Sequence, residues 1–341
     1  MTHARIGKKI PPALSLEVDF EIAGLTALYG PKGGGKTLIL ETIAGFEKPD
    51  FGRILLDDAI LFDAEARVNL PPRRRHCGYV AQRDALFPHM TLRRNLLFAA
   101  HRGPRLERSR RVAEMLERFQ LTPVAASRPR EIEPAEALRG AVARALLGEP
   151  KLLLLDDRGF DEALLRTIRE AFPGPVLLVT GDLDLCCAAA DRLILIEGGR
   201  IVQSGPPRTV VDRPESVDAA RLLGFSNVFE GEIAALDPAR KSSRLEFAGF
   251  ALTGPYIPGR FRGSRVSIAV HPADLRVHSG EIERQPNAVS ASLVRVSRGA
   301  RAARLEFSGG IFADVPLEEL ERQKDNKSWQ VEFPQQALRV L

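Results

Sequence analysis

The run Gly30-Pro31-Lys32-Gly33-Gly34-Gly35-Lys36-Thr37 constrains this chain more than any other stretch. Ahead of it lies Leu25-Thr26-Ala27-Leu28-Tyr29, an apolar and β-favouring segment, and behind it Leu38 to Ala44, which holds no helix breaker. The form G-x-x-x-x-G-K-T between a strand and a helix is a P-loop. Its glycines let backbone amides turn inward toward a phosphate, and the start of the helix adds partial positive charge. Lys36 is expected to reach the β- and γ-phosphates, and the Thr37 hydroxyl to ligate Mg²⁺. The eight residues from Gly30 to Thr37 are therefore the candidate cradle for a nucleoside triphosphate.

The rest of the chain reads as α/β and then as β. Leu14, Leu16, Val18, Phe20 and Ile22 alternate ahead of the P-loop, and Arg53 to Asp57 and Gly78 to Gln82 are further strands. Thr91 caps a helix through Ala100, Arg108 to Phe119 is amphipathic, and Pro134 to Leu147 is an Ala-rich helix. Lys151 to Asp157, Pro175 to Thr180 and Arg192 to Glu197 are apolar runs, the last two separated by a helix over Asp182 to Ala190. Wholly apolar strands alternating with helices imply a mostly parallel sheet covered on both faces. After about Pro214 short β segments dominate, which predicts a small all-β unit of barrel type. Within it, Val289 to Val296 and Ala303 to Phe307 read as one hairpin. The expected domains are 1–218 and 225–341.

Composition narrows the classes of function. The 341 residues are 44% hydrophobic and 27% charged, an ordinary globular balance. No apolar run approaches the ~20 residues of a membrane span, and the N-terminal segment lacks the apolar core of a signal peptide. A cytoplasmic protein is expected. Cys77, Cys186 and Cys187 have neither metal-site spacing nor a disulfide framework, so they read as buried thiols. The net charge of +5 comes from scattered arginines, and the triplet Arg73-Arg74-Arg75 reads as a solvated loop. One Trp and few aromatics in the C-terminal region argue against nucleic-acid binding.

Leu152 to Asp157 is an apolar strand closed by two carboxylates. On its own this would be an acidic turn after a buried strand. Downstream of a P-loop it reads as a Walker B element, with Asp156 holding Mg²⁺ through its water shell and Asp157 where a water-activating base would sit. Gln82, at the end of its strand, is a further candidate for Mg²⁺ or the attacking water.

These motifs, in this order, resemble the ATP-binding subunits of ABC transporters. The likeness rests on Gly30 to Thr37, on Tyr79-Val80-Ala81-Gln82 followed by Leu86-Phe87-Pro88-His89-Met90-Thr91, and on Ala143 to Leu147 and Leu152 to Asp157. Ala190 to Ile201 and Gly205-Pro206-Pro207 extend it. The C-terminal β unit resembles the TOBE-type, OB-like extension of importers for molybdate, sulfate, polyamines and iron. Ile268 to Leu275 matches its R-P-E-D segment, with His271 in place of Arg. The resemblance implies ATP and Mg²⁺ as cofactors and a head-to-tail dimer of ATP-binding subunits, homo- or heteromeric. It also implies a membrane permease as partner, with the chain peripheral on the inner face of the cell membrane.

The departures from that family are as informative as the matches. Counting back from Ala143-Arg144-Ala145, the L-S-G-G-Q signature falls on Ile132-Glu133-Pro134-Ala135-Glu136. A register through Leu138-Arg139-Gly140 would require a deletion inside a helix. The signature's serine and glycines are thus replaced, Glu133 brings negative charge toward the γ-phosphate, and Pro134 removes an amide donor. Gly181 occupies the switch-histidine position. Asp157 replaces the catalytic Glu, about 1.5 Å shorter, a misplacement that can cost about 10²-fold. All the losses fall on one chain, so pairing with itself or with an intact partner would compromise both sites. The expected function is an ATP-binding importer subunit for a small anion, metal or polyamine, with slow or negligible hydrolysis. The alternative is a non-hydrolysing regulatory subunit with an oxyanion-sensing C-terminal domain.

Overall fold

In the computed structural model, residues 2–10, 14–82, 86–156, 159–279, 287–322 and 329–341 are described. Asp157, the expected base, lies outside them. The chain divides into two compact units, residues 1–210 and 211–341.

The first unit is built on one sheet. Its elements run β1 (Thr2–Ile10), β2 (Leu14–Ile22), β3 (Leu25–Tyr29), α1 (Lys36–Ala44), β4 (Phe51–Leu56), β5 (Ala59–Asp63), β6 (Val68–Asn69) and β7 (Cys77–Val80). There follow α2 (Leu92–Ala99), α3 (Arg105–Arg118), α4 (Pro134–Leu147), β8 (Leu152–Asp156), α5 (Glu162–Ala171), β9 (Val176–Thr180), α6 (Leu183–Ala189), β10 (Arg192–Glu197) and β11 (Arg200–Gly205). Strand order is β6-β5-β4-β1-β2-β11-β10-β3-β9-β8-β7. From β10 through β3, β9 and β8 to β7 every pairing is parallel. On the far side, β1 pairs antiparallel with both β2 and β4. β1 is a strand the sequence did not suggest, because Lys8 and Lys9 interrupt its apolar alternation.

The apolar runs of the parallel strands are explained by two covered faces. Leu152, Leu154, Leu177 and Val179 pack with Ile39, Leu40 and Ile43 of α1. Leu153, Leu155, Val176 and Leu178 turn to the opposite face and meet α2 to α5. Alternate residues of one strand therefore both need apolar surroundings, and the binary pattern disappears.

The triplet at Arg73 to Arg75 departs from expectation. Pro72–Arg74 is a 3-10 turn, and Arg75 is fully buried. Its guanidinium donates from Nη1 to the carbonyls of Thr42 (2.7 Å) and Ile43 (2.9 Å), from Nε to Leu70 (2.8 Å), and from Nη2 to Asn69 Oδ1 (2.7 Å). Only glycine fits at position 45, where φ is 90° and a Cβ would run into that guanidinium. Arg75 is thus a buried cation closing the C-terminal end of α1, where the helix dipole favours positive charge.

The second unit is β-rich. A sheet in the order β14-β13-β12-β15-β22 is made of β12 (Asn227–Asp237), β13 (Ser242–Phe247), β14 (Phe250–Pro255), β15 (Arg265–Val270) and β22 (Arg339–Val340). Beside it stand β16 (Arg276–Ser279), β21 (Trp329–Glu332) and β17 (Ala288–Ala291) as one sheet, and β18 (Leu293–Arg298), β19 (Ala302–Phe307) and β20 (Ile311–Pro316) as another. The expected hairpin is corrected here. Ala288–Ala291 pairs with β21, and only Leu293–Arg298 pairs with Ala302–Phe307. The chain changes sheets at Ser292, whose amide donates to the Ser308 hydroxyl oxygen at 3.0 Å.

Candidate functional site

β3 is buried between two parallel neighbours, and its C-terminal end delivers the chain into the loop at Gly30. A Cβ at Gly30 would collide with the Ile196 carbonyl at the end of β10, so the loop can leave the sheet only with glycine there. Gly33 and Gly35 adopt φ of 81° and 89°, the left-handed region that suits glycine. The Gly34 amide donates to the Pro31 carbonyl (3.2 Å), closing the turn. Gly35 then serves as the N-cap of α1 without a side-chain cap, and the first turn of the helix holds no acidic residue.

Lys36 opens that helix. Its ammonium donates to the carbonyls of Gly30 and Pro31, both at 2.8 Å, which folds it over the loop. Thr37 donates from Oγ1 to Asp156 Oδ1 (3.3 Å). Asp156, at the end of β8, is 3% exposed. A hydroxyl beside a buried carboxylate is a set of hard oxygen ligands of the kind Mg²⁺ takes together with water and phosphate oxygens. The residues present therefore fit the cation the motif implies.

A cavity of about 760 Å³ opens at this point. Gly30, Lys32, Gly33, Gly35, Lys36, Thr37, Gln82 and Asp156 line it, joined by Leu38, Glu41, Val179, Thr180 and Gly181. The structure thus brings together the P-loop, the Walker B carboxylate and Gln82. Pro31 and Gly34 belong to the same loop without lining the cavity.

At the switch position the wall is bare. A Cβ added to Gly181 meets nothing within 4 Å. The residues beside it are occupied locally: the Asp182 amide donates to Thr180 Oγ1 (3.0 Å), and Asp182 caps α6 by accepting from the Leu185 amide (2.9 Å).

The signature position opens α4, with Glu133 as N-cap and Pro134 at the first helical position. Glu133 and Glu136 form a reciprocal capping box, in which the Glu133 amide donates to Glu136 Oε2 (3.0 Å). The start of α4 is thus closed by the chain's own carboxylates.

Two residues escaped the sequence reading, one on the cavity wall and one on the strand beside Asp156. Glu41 lies one helical turn past Thr37, on the same face of α1, and lines the cavity. Burial, then Glu47 and Asp156, push its carboxyl above the ordinary range. Tyr79 stands on β7 opposite Leu154, which makes Asp156 its diagonal neighbour on one face of the sheet. Burial first, then the negative charges of Asp156 and Glu41, push its hydroxyl up. The spacing from Thr37 to Glu41 signalled the first; nothing local signalled the second.

Fold and cavity define a P-loop protein of the nucleoside-triphosphate-binding class. Comparisons with known proteins agree. The family model described as ABC transporter matches residues 15–158. The molybdenum import ATP-binding protein ModC of Rhodospirillum rubrum is 34% identical over 275 residues, 77% of this chain and 74% of its own. The spermidine/putrescine import ATP-binding protein PotA of Vibrio cholerae is 32% identical over 283 residues, 80% and 72% of the two chains. A solved ATP-binding subunit of an ABC transporter shares the fold, with a TM-score of 0.54 at 24% identity over 65% of this chain and 98% of its own. The chain belongs to the ABC transporter family, as an importer-type ATP-binding subunit. No helix among the described residues is long and apolar enough to cross a membrane.

Proposed function

We propose that this chain binds Mg-ATP at Gly30 to Thr37 and couples binding, with little turnover, to a membrane permease that imports a small anion, metal or polyamine. The observation that carries this reading is the uncapped start of α1, open to a cavity that also holds Lys36 and the Thr37–Asp156 pair. Loop amides and Lys36 would take the phosphates, and Thr37 and Asp156 would hold the cation, with Gln82 beside them. Bound Mg²⁺ supplies charge neutralisation at the β- and γ-phosphates. The ATP-binding domain is taken as residues 1–218 and the TOBE-like β domain as 225–341. Molybdenum and spermidine/putrescine, named for the relatives, are the first cargoes to test.

A permease contact is supported by the segment from Leu86 to Thr91. Asn95 stitches it from inside: its Oδ1 accepts from the Phe87 amide (2.7 Å), and its Nδ2 donates to the carbonyls of Phe87, Met90 and Thr91. The Phe87 ring carries the Arg144 guanidinium 4.9 Å from its centroid on one side and meets the edge of Phe98 at 5.0 Å. Phe98 is 61% exposed, an apolar tip on a rigid mount, as a docking segment of a membrane partner requires. The location that follows is cytoplasmic, peripheral on the inner face of the membrane, as a dimer of ATP-binding subunits.

Slow turnover follows from Gly181, from the self-capped start of α4 and from the shorter Asp157. Calorimetry with ATP and Mg²⁺, run beside an ATPase assay, tests this. Binding with turnover well below about 1 s⁻¹ is expected; a rate on the order of 1–10 s⁻¹, abolished by Lys36→Ala, overturns it.

A further inference from the structure

A second cavity, of about 310 Å³, lies between the end of α3 and the first turns of α4 and α5. That size falls near the lower end of small-molecule sites, about 300–1,000 Å³. Phe119, Leu138 and Leu164 give it an apolar floor, and Phe119 and Leu164 are buried. Arg118 and Arg139 add two guanidiniums to the wall. One carboxylate shares that wall, Asp161. It is engaged as the N-cap of α5, accepting from the Leu164 amide at 2.7 Å.

The arginines of these helices fall into two kinds. Arg110 and Arg111 of α3 and Arg166 of α5 are each paired with a glutamate, at 3.4, 2.7 and 2.9 Å. Neither Arg118 nor Arg139 forms an ion pair among the described residues. Arg139 makes one long contact, from Nη1 to Gln120 Oε1 at 3.4 Å, and its Nε is enclosed without an acceptor. A buried donor left unmet is costly. A guanidinium also presents its N–H groups as a fork that matches the oxygens of a carboxylate or a phosphate. The cavity therefore joins net positive charge to an apolar floor, with one donor that the chain itself does not answer.

We propose that this cavity binds a small organic anion. Arg139 and Arg118 take its oxyanion group, and its compact apolar body sits against Phe119, Leu138 and Leu164. The site shares no lining residue with the P-loop cavity, so it does not depend on the nucleotide reading.

The test is calorimetric titration of the full chain with benzoate and with phenyl phosphate, which carry the two oxyanions on one ring. At least one should bind with a dissociation constant on the order of 1 mM or below. Whichever binds tells which oxyanion the site takes. Benzyl alcohol, which lacks the charge, should bind about 10-fold more weakly or worse. Arg139→Gln should weaken the bound probe about 10-fold, and Arg118→Gln by less, because its side chain is exposed. Ala163→Leu fills the cavity from an exposed position on α5 and keeps both guanidiniums, and it should abolish binding. Melting midpoints without probe confirm that each variant is folded. Binding of neither probe, or equal binding of benzyl alcohol, overturns the proposal. So does affinity that survives Ala163→Leu in full, which would put the anion elsewhere, as at Gly30 to Thr37.

Discussion

α1 and α4 begin at the two positions that the resemblance to ABC ATP-binding subunits implies would meet at one phosphate, and they begin in opposite ways. α1 starts from a left-handed glycine, has no side-chain cap and no acid in its first turn, and puts Lys36 first. α4 starts from a glutamate, has proline next, and closes its own amides with the Glu133–Glu136 box. Every helix N-terminus carries orphan N–H groups and partial positive charge. In α1 that potential is left to a ligand; in α4 it is consumed within the chain. The same physics therefore yields a binding end and a structural end, and the side chains of four or five residues decide which.

The other ends of the two helices extend the contrast. Arg75 meets the last carbonyls of α1 with no exposure, while Arg111 meets the Leu147 carbonyl of α4 at 3.2 Å and Glu149 at 2.7 Å, with its side chain 21% exposed. The largest expected effect in the molecule is Arg75→Ala. It leaves the carbonyls of Thr42, Ile43 and Leu70 facing a cavity, a loss of about 3 kcal/mol or more. Arg111→Ala should lose about 1 kcal/mol or less, since a half-exposed ion pair is screened by solvent. Denaturant unfolding of both variants checks this, and similar small losses would show that α1 does not depend on its buried anchor.

Nucleotide affinity separates the N-terminal ends next. Lys36→Ala should weaken Mg-ATP binding about 100-fold, roughly the 2–3 kcal/mol of a charge-assisted contact, with little change in folding stability. Glu133→Ala should do the reverse: about 1 kcal/mol of stability lost with its cap, and ATP affinity in the isolated chain unchanged. Titration calorimetry paired with thermal melts reads both. A Glu133→Ala variant that binds ATP differently would mean that α4 touches the chain's own nucleotide.

Much of this was legible in the sequence because the informative residues are local. Gly30 to Thr37 specifies its own turn, and Leu152 to Asp156 is apolar because both faces of β8 are covered. The starts of α2 and α4 were visible from Thr91 and Pro134. What escaped depends on partners distant in sequence. Arg75 looks solvated beside Arg73 and Arg74 until α1, some thirty residues earlier, presents its carbonyls. Tyr79 reads as one more strand aromatic until register sets it diagonal to Asp156. Val289 to Val296 reads as one strand because alternation persists across Ser292, although the two halves pair with different sheets.

The finest test of the comparison converts α4 into the kind of end α1 already has. Replacing Glu133 by Ser, Pro134 and Ala135 by Gly and Glu136 by Gln removes both carboxylates and restores the small residues that let a phosphate approach amides. The cap would keep its spacing but lose both charges, and two glycines would enter the first turn, a stability loss of about 1–2 kcal/mol. In return, the start of α4 would carry no negative charge against an approaching phosphate. If the self-capped end is what keeps this chain from closing on ATP, the fourfold variant should show ATP-dependent dimerisation by light scattering, and the unaltered chain little or none. Adding Gly181→His, where a Cβ meets nothing within 4 Å, should then raise turnover by a small factor, and only in the variant that dimerises. Equal ATP-dependent dimerisation by the unaltered chain would show that the carboxylates at α4 do not oppose the phosphate. The difference between the two helix ends would then be one of stability alone.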